Sequence, residues 1–280
     1  MTTATLPSAK QQDGSLESLT QIRDELDKIQ AAVADAIQKQ TDGIEPTPTV
    51  PTRDLRMGRP TDEQLAKMNQ YRPVGADEYT ADEVVTVPVV ASHNLIQLSG
   101  LISWHPRALA AMANVLVDRP HIINHDWDDA GTSVGFFYDS EILKTDNAPA
   151  KDLSMNGQYE TNQMVVGKYG YQRLILHACI QASTPAVDGY RFRRLGDVST
   201  GNLVYPDYIC PLDDLSFADE NCPYLPPTDW TLWMAEQDKL SEEEKALIAP
   251  YMMRDGVFYG VETSAVVVGN LPGAGVVRAG

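Results

Sequence analysis

Between residues 15 and 40, apolar side chains fall at Leu16, Leu19, Ile22, Leu26, Ile29, Val33 and Ile37. The steps of three and four trace one face of an α-helix, close to a heptad repeat, and Ser15 is placed to cap it. A single apolar stripe needs a partner. The rest of the chain, a second copy or another protein would each serve. Downstream, Pro46, Pro48, Pro51 and Pro60 exclude helix and central strand, so residues 41–60 are predicted to be an extended linker. Thr61 then caps a short predicted helix over 61–71 with acids in its first turn. The organisation expected is a helical appendage over 1–40, a linker over 41–60 and a body over 61–280.

Within the body, residues 83–92 are β-branched and strand-like, with Pro88 marking an edge or a bend. Residues 105–120 read as a helix, with Pro106 in its first turn and Asp118-Arg119-Pro120 closing it. Residues 121–127 and 132–143 read as short strands around a turn at Asp128–Gly131. The apolar stretch 169–183 fits a strand or a buried helix. Residues 190–209 look like β-structure interrupted at Gly196 and Gly201. Residues 228–253 read as a helical hairpin or kinked helix, in which Ser241 and Glu244 form a capping-box pattern. The clearest strand is 256–269. Many short strands with a few helices predict an α+β fold, with a mostly antiparallel, barrel-like body wrapped by helices.

Composition narrows the function classes. The chain has 280 residues, 43% of them hydrophobic, and a net charge of −17 from 22 Lys+Arg and 39 Asp+Glu. Such an acidic chain is not expected to bind phosphate backbones or anionic membranes nonspecifically. No apolar run approaches the roughly 18 residues that span a bilayer, and the polar N-terminus carries no signal-peptide core. Three cysteines fit a reducing compartment rather than a disulfide scaffold. No Gly-rich phosphate loop is present.

Three places could carry chemistry. His125 lies between apolar strand residues and a polar turn, where a neutral imidazole can act as a general base near pH 7; a hydrogen-bonded, half-buried histidine fits equally. Ser199, in GDVSTGN (196–202), is flanked by glycines that could set it on a sharp turn with its hydroxyl exposed; an ordinary strand-end turn uses the same residues. Glu262 is a carboxylate in a largely apolar strand, where burial demands a cationic or N–H partner. That partner could be a histidine ring, or Arg191, Arg193 or Arg194. Together they supply a hydroxyl, a base to take its proton and an acid to orient the base.

Three segments resemble a known family. DRPHIINHDWDDAGTSVGFFYDSEIL (118–143), GDVSTGN (196–202) and YGVETSAVVVGNLPGAGV (259–276) resemble, in that order, the histidine, nucleophile and closing-strand segments of tailed-phage prohead (capsid maturation) proteases, over roughly residues 85–276. That family is similar in fold to the herpesvirus assemblins. The resemblance implies Ser199 as nucleophile, His125 as general base and Glu262 as orienting acid, with His177 or His93 as a fallback for the third role. Backbone N–H groups at Thr200 and Gly201, or Arg191, Arg193 or Arg194, would stabilise the oxyanion. Thr200 departs from the family's usual aliphatic residue, and the Ser-to-Glu interval is longer than is common.

Some relatives carry a Cys/His cluster after the serine that looks like a structural zinc site. Here Cys210 and Cys222 stand in the comparable stretch, with Asp213 and Tyr224 where further ligands would fall. Two thiolates do not complete a tetrahedral site, so neither zinc nor another cofactor is expected. The function implied is a serine endopeptidase inside an immature capsid in the host cytoplasm. Its substrates would be scaffold, capsid protein and itself, with the N-terminal helix available for homo-oligomer formation or tethering. The alternatives are a catalytically inactive capsid or scaffold component with a protease-like fold, or an unrelated enzyme.

Overall fold

A hydroxyl at the right place starts the first helix. Thr61 accepts a hydrogen bond from the Gln64 backbone N–H while the Gln64 side chain bonds the Thr61 N–H, a complete capping box, and α1 follows over Asp62–Gln70. The structure, a computed structural model, describes residues 55–97, 101–126, 133–154, 157–192, 194–195, 197–226, 241, 247–266 and 275–276. The chain divides into two units, 1–45 and 46–280, and every described residue belongs to the second. The predicted helix over 15–40 and most of the predicted linker lie outside the described residues. So does most of the predicted helical segment over 228–253, including Glu244 of its capping-box pattern. The end of that segment is corrected: Leu225 bridges Ile248, and Met252 and Met253 begin a strand.

Eight strands and five helices are described. The strands are β1 (Val84–His93), β2 (Ile102–Trp104), β3 (Pro120–Ile123), β4 (Gly135–Thr145), β5 (Tyr171–Gln181), β6 (Asp197–Ile209), β7 (Met252–Val266) and β8 (Gly275–Val276). The later helices are α2 (Pro106–Val115), α3 (Ala150–Leu153), α4 (Tyr159–Tyr169) and α5 (Pro185–Arg191). All strands join one sheet in the order β2-β7-β3-β4-β5-β1-β8-β6, and β6 also pairs with β7. The α+β expectation holds. The mostly antiparallel expectation holds too, since β1–β5, β1–β8, β3–β4, β4–β5, β6–β7 and β6–β8 all pair antiparallel; the barrel is corrected to an open, mixed sheet. Both β2 and β3 run parallel to β7, and among the described residues the pairing thins to two residue pairs between β1 and β8 and one between β8 and β6, with no continuous ladder joining β1 to β6.

Local chemistry explains the main elements. Pro88 lies inside β1 opposite His177 of β5. Thr86 exchanges both backbone hydrogen bonds with Gly58, so strand alternation turns the donor-less Pro88 nitrogen to that same thinly paired edge, away from β5. The ambiguous stretch 169–183 is a strand because β5 is paired on both sides, with β1 and with β4. Helix α2 is capped by His105, whose Nδ1 accepts the Arg107 N–H at 3.2 Å. The helix buries Ala108, Leu109, Met112 and Ala113 against Val87, Val89, Leu174, Leu176 and Val257 of the sheet.

Gly260 lets α2 approach this closely, since a Cβ there would lie 2.3 Å from the Val115 carbonyl oxygen. On α4, buried Asn162 accepts the Ile96 N–H and donates to Leu153 O, both at 2.9 Å, pinning the segment after β1.

Within β3 lies a fully buried histidine. His121 Nδ1 contacts the Thr263 carbonyl oxygen at 2.6 Å and Nε2 meets the Tyr190 hydroxyl. A carbonyl only accepts, so Nδ1 carries the proton and Tyr190 donates to Nε2. Burial pushes the His121 pKa down to about 4, and burial pushes the Tyr190 phenol up.

Two outcomes are expected. Gly260→Ala forces the end of α2 off the sheet and lowers the urea midpoint by the equivalent of about 2–4 kcal/mol, in the range of core overpacking and strain. For His121, the unfolded ring titrates near 6.5 and the folded ring near 4, so its contribution is complete above pH 6.5 and is lost as pH falls through that window. Urea unfolding of His121→Asn should show lower stability at pH 7 and a shallower decline between pH 6.5 and 4, by about 3 kcal/mol.

Candidate active site

Strand alternation places Glu262 and Ser264 on the same face of β7. The β6–β7 register sets Gly201 opposite Glu262 and Ser199 opposite Ser264, so all four share that face. Above them, β3 runs parallel to β7 with Ile123 beside Ala265. The chain then turns through two left-handed residues, Asn124 (φ 56°) and His125 (φ 57°). This conformation is uncommon for non-glycine residues and persists where surrounding contacts enforce it. Here they do: the His125 backbone N–H donates to Ser264 Oγ at 3.2 Å, and the turn delivers the His125 ring over the face.

The ring is held by a buried carboxylate. His125 Nδ1 lies 2.7 Å from Glu262 Oε1. Ser264 donates its hydroxyl proton to Glu262 Oε2 at 2.6 Å, and its Oγ lies 3.1 Å from Nδ1. Glu262 is 1% exposed, whereas the His125 side chain is 43% exposed. A carboxylate accepts, so Nδ1 carries the proton of the neutral ring and Nε2 keeps a free lone pair. Among the described residues nothing bonds Nε2. Gly201 makes room for this arrangement, because a Cβ there would come within 2.8 Å of Glu262 Oε1.

The chain has five histidines, and only His125 combines exposure with an oriented ring. His177 is 2% exposed and bonds Glu141 through Nε2 at 2.8 Å. His93 is buried and accepts the Leu95 N–H at 3.1 Å. Neither contacts His125, so the fallback third members are set aside; the acid on the ring is Glu262. His105 and His121 are buried with both roles described above.

Ser199 is half-buried on β6. The expected sharp turn is corrected: Asp197 to Gly201 pair continuously with β7, so the serine sits mid-strand and Gly201 serves the Glu262 carboxylate rather than a turn. No hydrogen bond joins Ser199 to His125 among the described residues. Thr200 faces Thr263 across the ladder. Arg194 is exposed and Arg191 pairs with Asp188 at 3.2 Å, and among the described residues no hydrogen bond or ion pair joins either side chain to Ser199, His125 or Glu262; Arg193 lies outside the described residues. The arginine beside Ser199 is Arg254 of β7: both line a cavity of about 160 Å³, with Ser92, Gln97 and Trp104. Arg254 carries no local sequence signal for this place, since 55 positions of chain separate it from Ser199. Ser264, given no role in the expected triad, does carry one, since its two-residue step from Glu262 signals a shared face.

No protein-family model matches the chain, and no curated protein or solved structure matches it.

Away from this site, Cys210 Sγ, Cys222 Sγ and a carboxylate oxygen of Asp213 lie within 4.8 Å of one another. These three donors are one short of a closed tetrahedral zinc shell among the described residues. Cys210 is fully buried and burial pushes its thiol up to about 11, which favours the neutral form. Tyr224 meets Cys222 only through its carbonyl oxygen, 3.9 Å from Sγ.

Nitrogen-15 NMR of the imidazoles tests the site directly. In its neutral form His125 should show the Nδ1–H tautomer, and Glu262→Ala should return it toward the Nε2–H form favoured by a free ring. Gly201→Ala should move the tautomer in the same direction while leaving both side chains chemically intact, because its Cβ crowds Glu262 Oε1.

Proposed function

We propose that this protein is a serine endopeptidase of the tailed-phage prohead type, acting within an immature capsid in the host cytoplasm on scaffold, capsid protein and itself. One observation carries this reading: a buried carboxylate fixes the tautomer of an exposed histidine whose other nitrogen bonds none of the described residues, on the same sheet face as a half-buried serine. This is the acid-to-base half of a hydrolytic triad. Ser199 is the nucleophile. Ser264 cannot take that role, because it is fully buried and its hydroxyl is committed to Glu262.

In the reaction, His125 Nε2 takes the Ser199 proton as Oγ attacks the scissile carbonyl, and Glu262 stabilises the imidazolium that forms. The same nitrogen then protonates the leaving amine, and water releases the acyl-enzyme. Closure of Ser199 onto Nε2 accompanies substrate binding, as catalytic hydrogen bonds commonly tighten in the Michaelis complex. The oxyanion donors implied by the resemblance are narrowed: in a continuous strand the Thr200 and Gly201 N–H groups point to opposite edges of β6, so only one of the two can face the oxyanion. The N-terminal segment would tether the enzyme to its substrates, raising effective concentration, or pair copies of the chain. Neither nucleic acid nor membrane is a proposed partner. Among the described residues no helix is long and apolar enough to cross a membrane.

A second reading has an observation in its favour. Ser199 makes no hydrogen bond to His125, as a capsid or scaffold component that keeps the fold without catalysis would allow. Co-expression with a scaffold–capsid substrate separates the two. Wild type should process the substrate, Ser199→Ala and His125→Ala should lose roughly 10⁵–10⁶-fold in rate, and Glu262→Ala about 10⁴-fold. Equal processing by wild type and Ser199→Ala would sink the assignment, and absence of cleavage in both would favour the structural role.

A further inference from the structure

The cavity beside Ser199 is built for an anion. Eight buried side-chain polar atoms of the described residues lack a hydrogen-bond partner, and three of them belong to residues lining this one small space: Ser92 Oγ, Gln97 Nε2 and Arg254 Nε. Ser92 is 1% exposed and Gln97 7%. Buried donors left unmade are costly, so their convergence calls for something that accepts from them.

Arg254 adds the charge. No described carboxylate pairs with it, and its guanidinium stacks 5.4 Å from the Trp104 ring centroid and 5.8 Å from that of Tyr208. The parts are fixed in place. Gln97 donates its backbone N–H to Ile102 O at 2.8 Å, next to the segment that Asn162 pins, and Trp104 pairs with Arg254 between β2 and β7. At about 160 Å³ the space is smaller than the roughly 300–1,000 Å³ of small-molecule sites. It suits one side chain.

We propose that this cavity is a specificity subsite that receives an aspartate or glutamate side chain of the peptide substrate close to the scissile bond. The carboxylate accepts from Arg254, Gln97 and Ser92, charge-assisted contacts that a neutral amide makes less well. The assignment rests on the endopeptidase reading for its place in a reaction, though the cavity's preference for a carboxylate is a property of the fold alone.

Two measurements test it. The first is digestion of a proteome-derived peptide library, with cleavage sites mapped by mass spectrometry. Wild type should show Asp or Glu enriched at one fixed position near the cut. Arg254→Gln, verified as folded by circular dichroism, should lose about tenfold of its acid-over-amide preference, and Arg254→Lys should retain part of it. Cleavage that depends on Ser199 but shows no acidic preference, or a preference unchanged in Arg254→Gln, overturns the subsite while the protease reading stands.

The second uses the uncleaving Ser199→Ala protein, with NMR of the arginine Nε–H groups during titration with N-acetyl-glutamate amide and N-acetyl-glutamine amide. The acid should shift the Arg254 resonance at concentrations about tenfold lower than the amide. Equal or absent shifts mean that solvent alone fills the cavity and overturn the proposal, even if no peptide is ever cut.

Discussion

A carboxylate that is 1% exposed to solvent cannot stand alone, because removing its hydration is tolerable only when other groups replace the lost hydrogen bonds. Glu262 takes the His125 ring on one oxygen and the Ser264 hydroxyl on the other. Much else in the site follows from meeting that demand. The left-handed pair Asn124–His125 bends the chain so that the imidazole arrives, the Ser264 oxygen receives the His125 backbone N–H, and the parallel β3–β7 pairing brings the bend over the right face.

The contrast between His121 and His125, four residues apart, shows how a fold assigns roles to identical side chains. His121 points into the core, where a carbonyl and a phenol occupy both nitrogens, and burial holds it neutral far below the ordinary range. It packs and orders. His125 lies past the end of the strand, keeps one nitrogen occupied and is 43% exposed, its other nitrogen bonding none of the described residues. Only the second arrangement can pass a proton to and from a reacting group.

Much of this was legible from the chain. Thr61 and the acids after it signal α1, and Pro106 opens α2. The long β-branched run ending at 269 predicts β7, and the isolated acid within it announces that a partner must exist. Pairing partners were not legible, because they depend on register between segments far apart. The Ser199 turn was misjudged for that reason: glycine on either side suggests a bend, and only the β6–β7 ladder reveals that one glycine answers to a carboxylate across the strand. Helices α3, α4 and α5 were not foreseen either. In α4, a buried asparagine serves as an anchor for another loop, a tertiary use that no helical periodicity encodes.

Gly201 carries a consequence for any attempt to vary this protein. Its backbone is not among the positive-φ glycines, so conformational reasoning would judge alanine harmless there. The obstacle is a neighbour's oxygen 2.8 Å from where a methyl carbon would begin. A hydrogen atom is thus what the position requires, and the smallest possible substitution would press on the carboxylate that orients the histidine, through a residue that itself has no chemistry to lose.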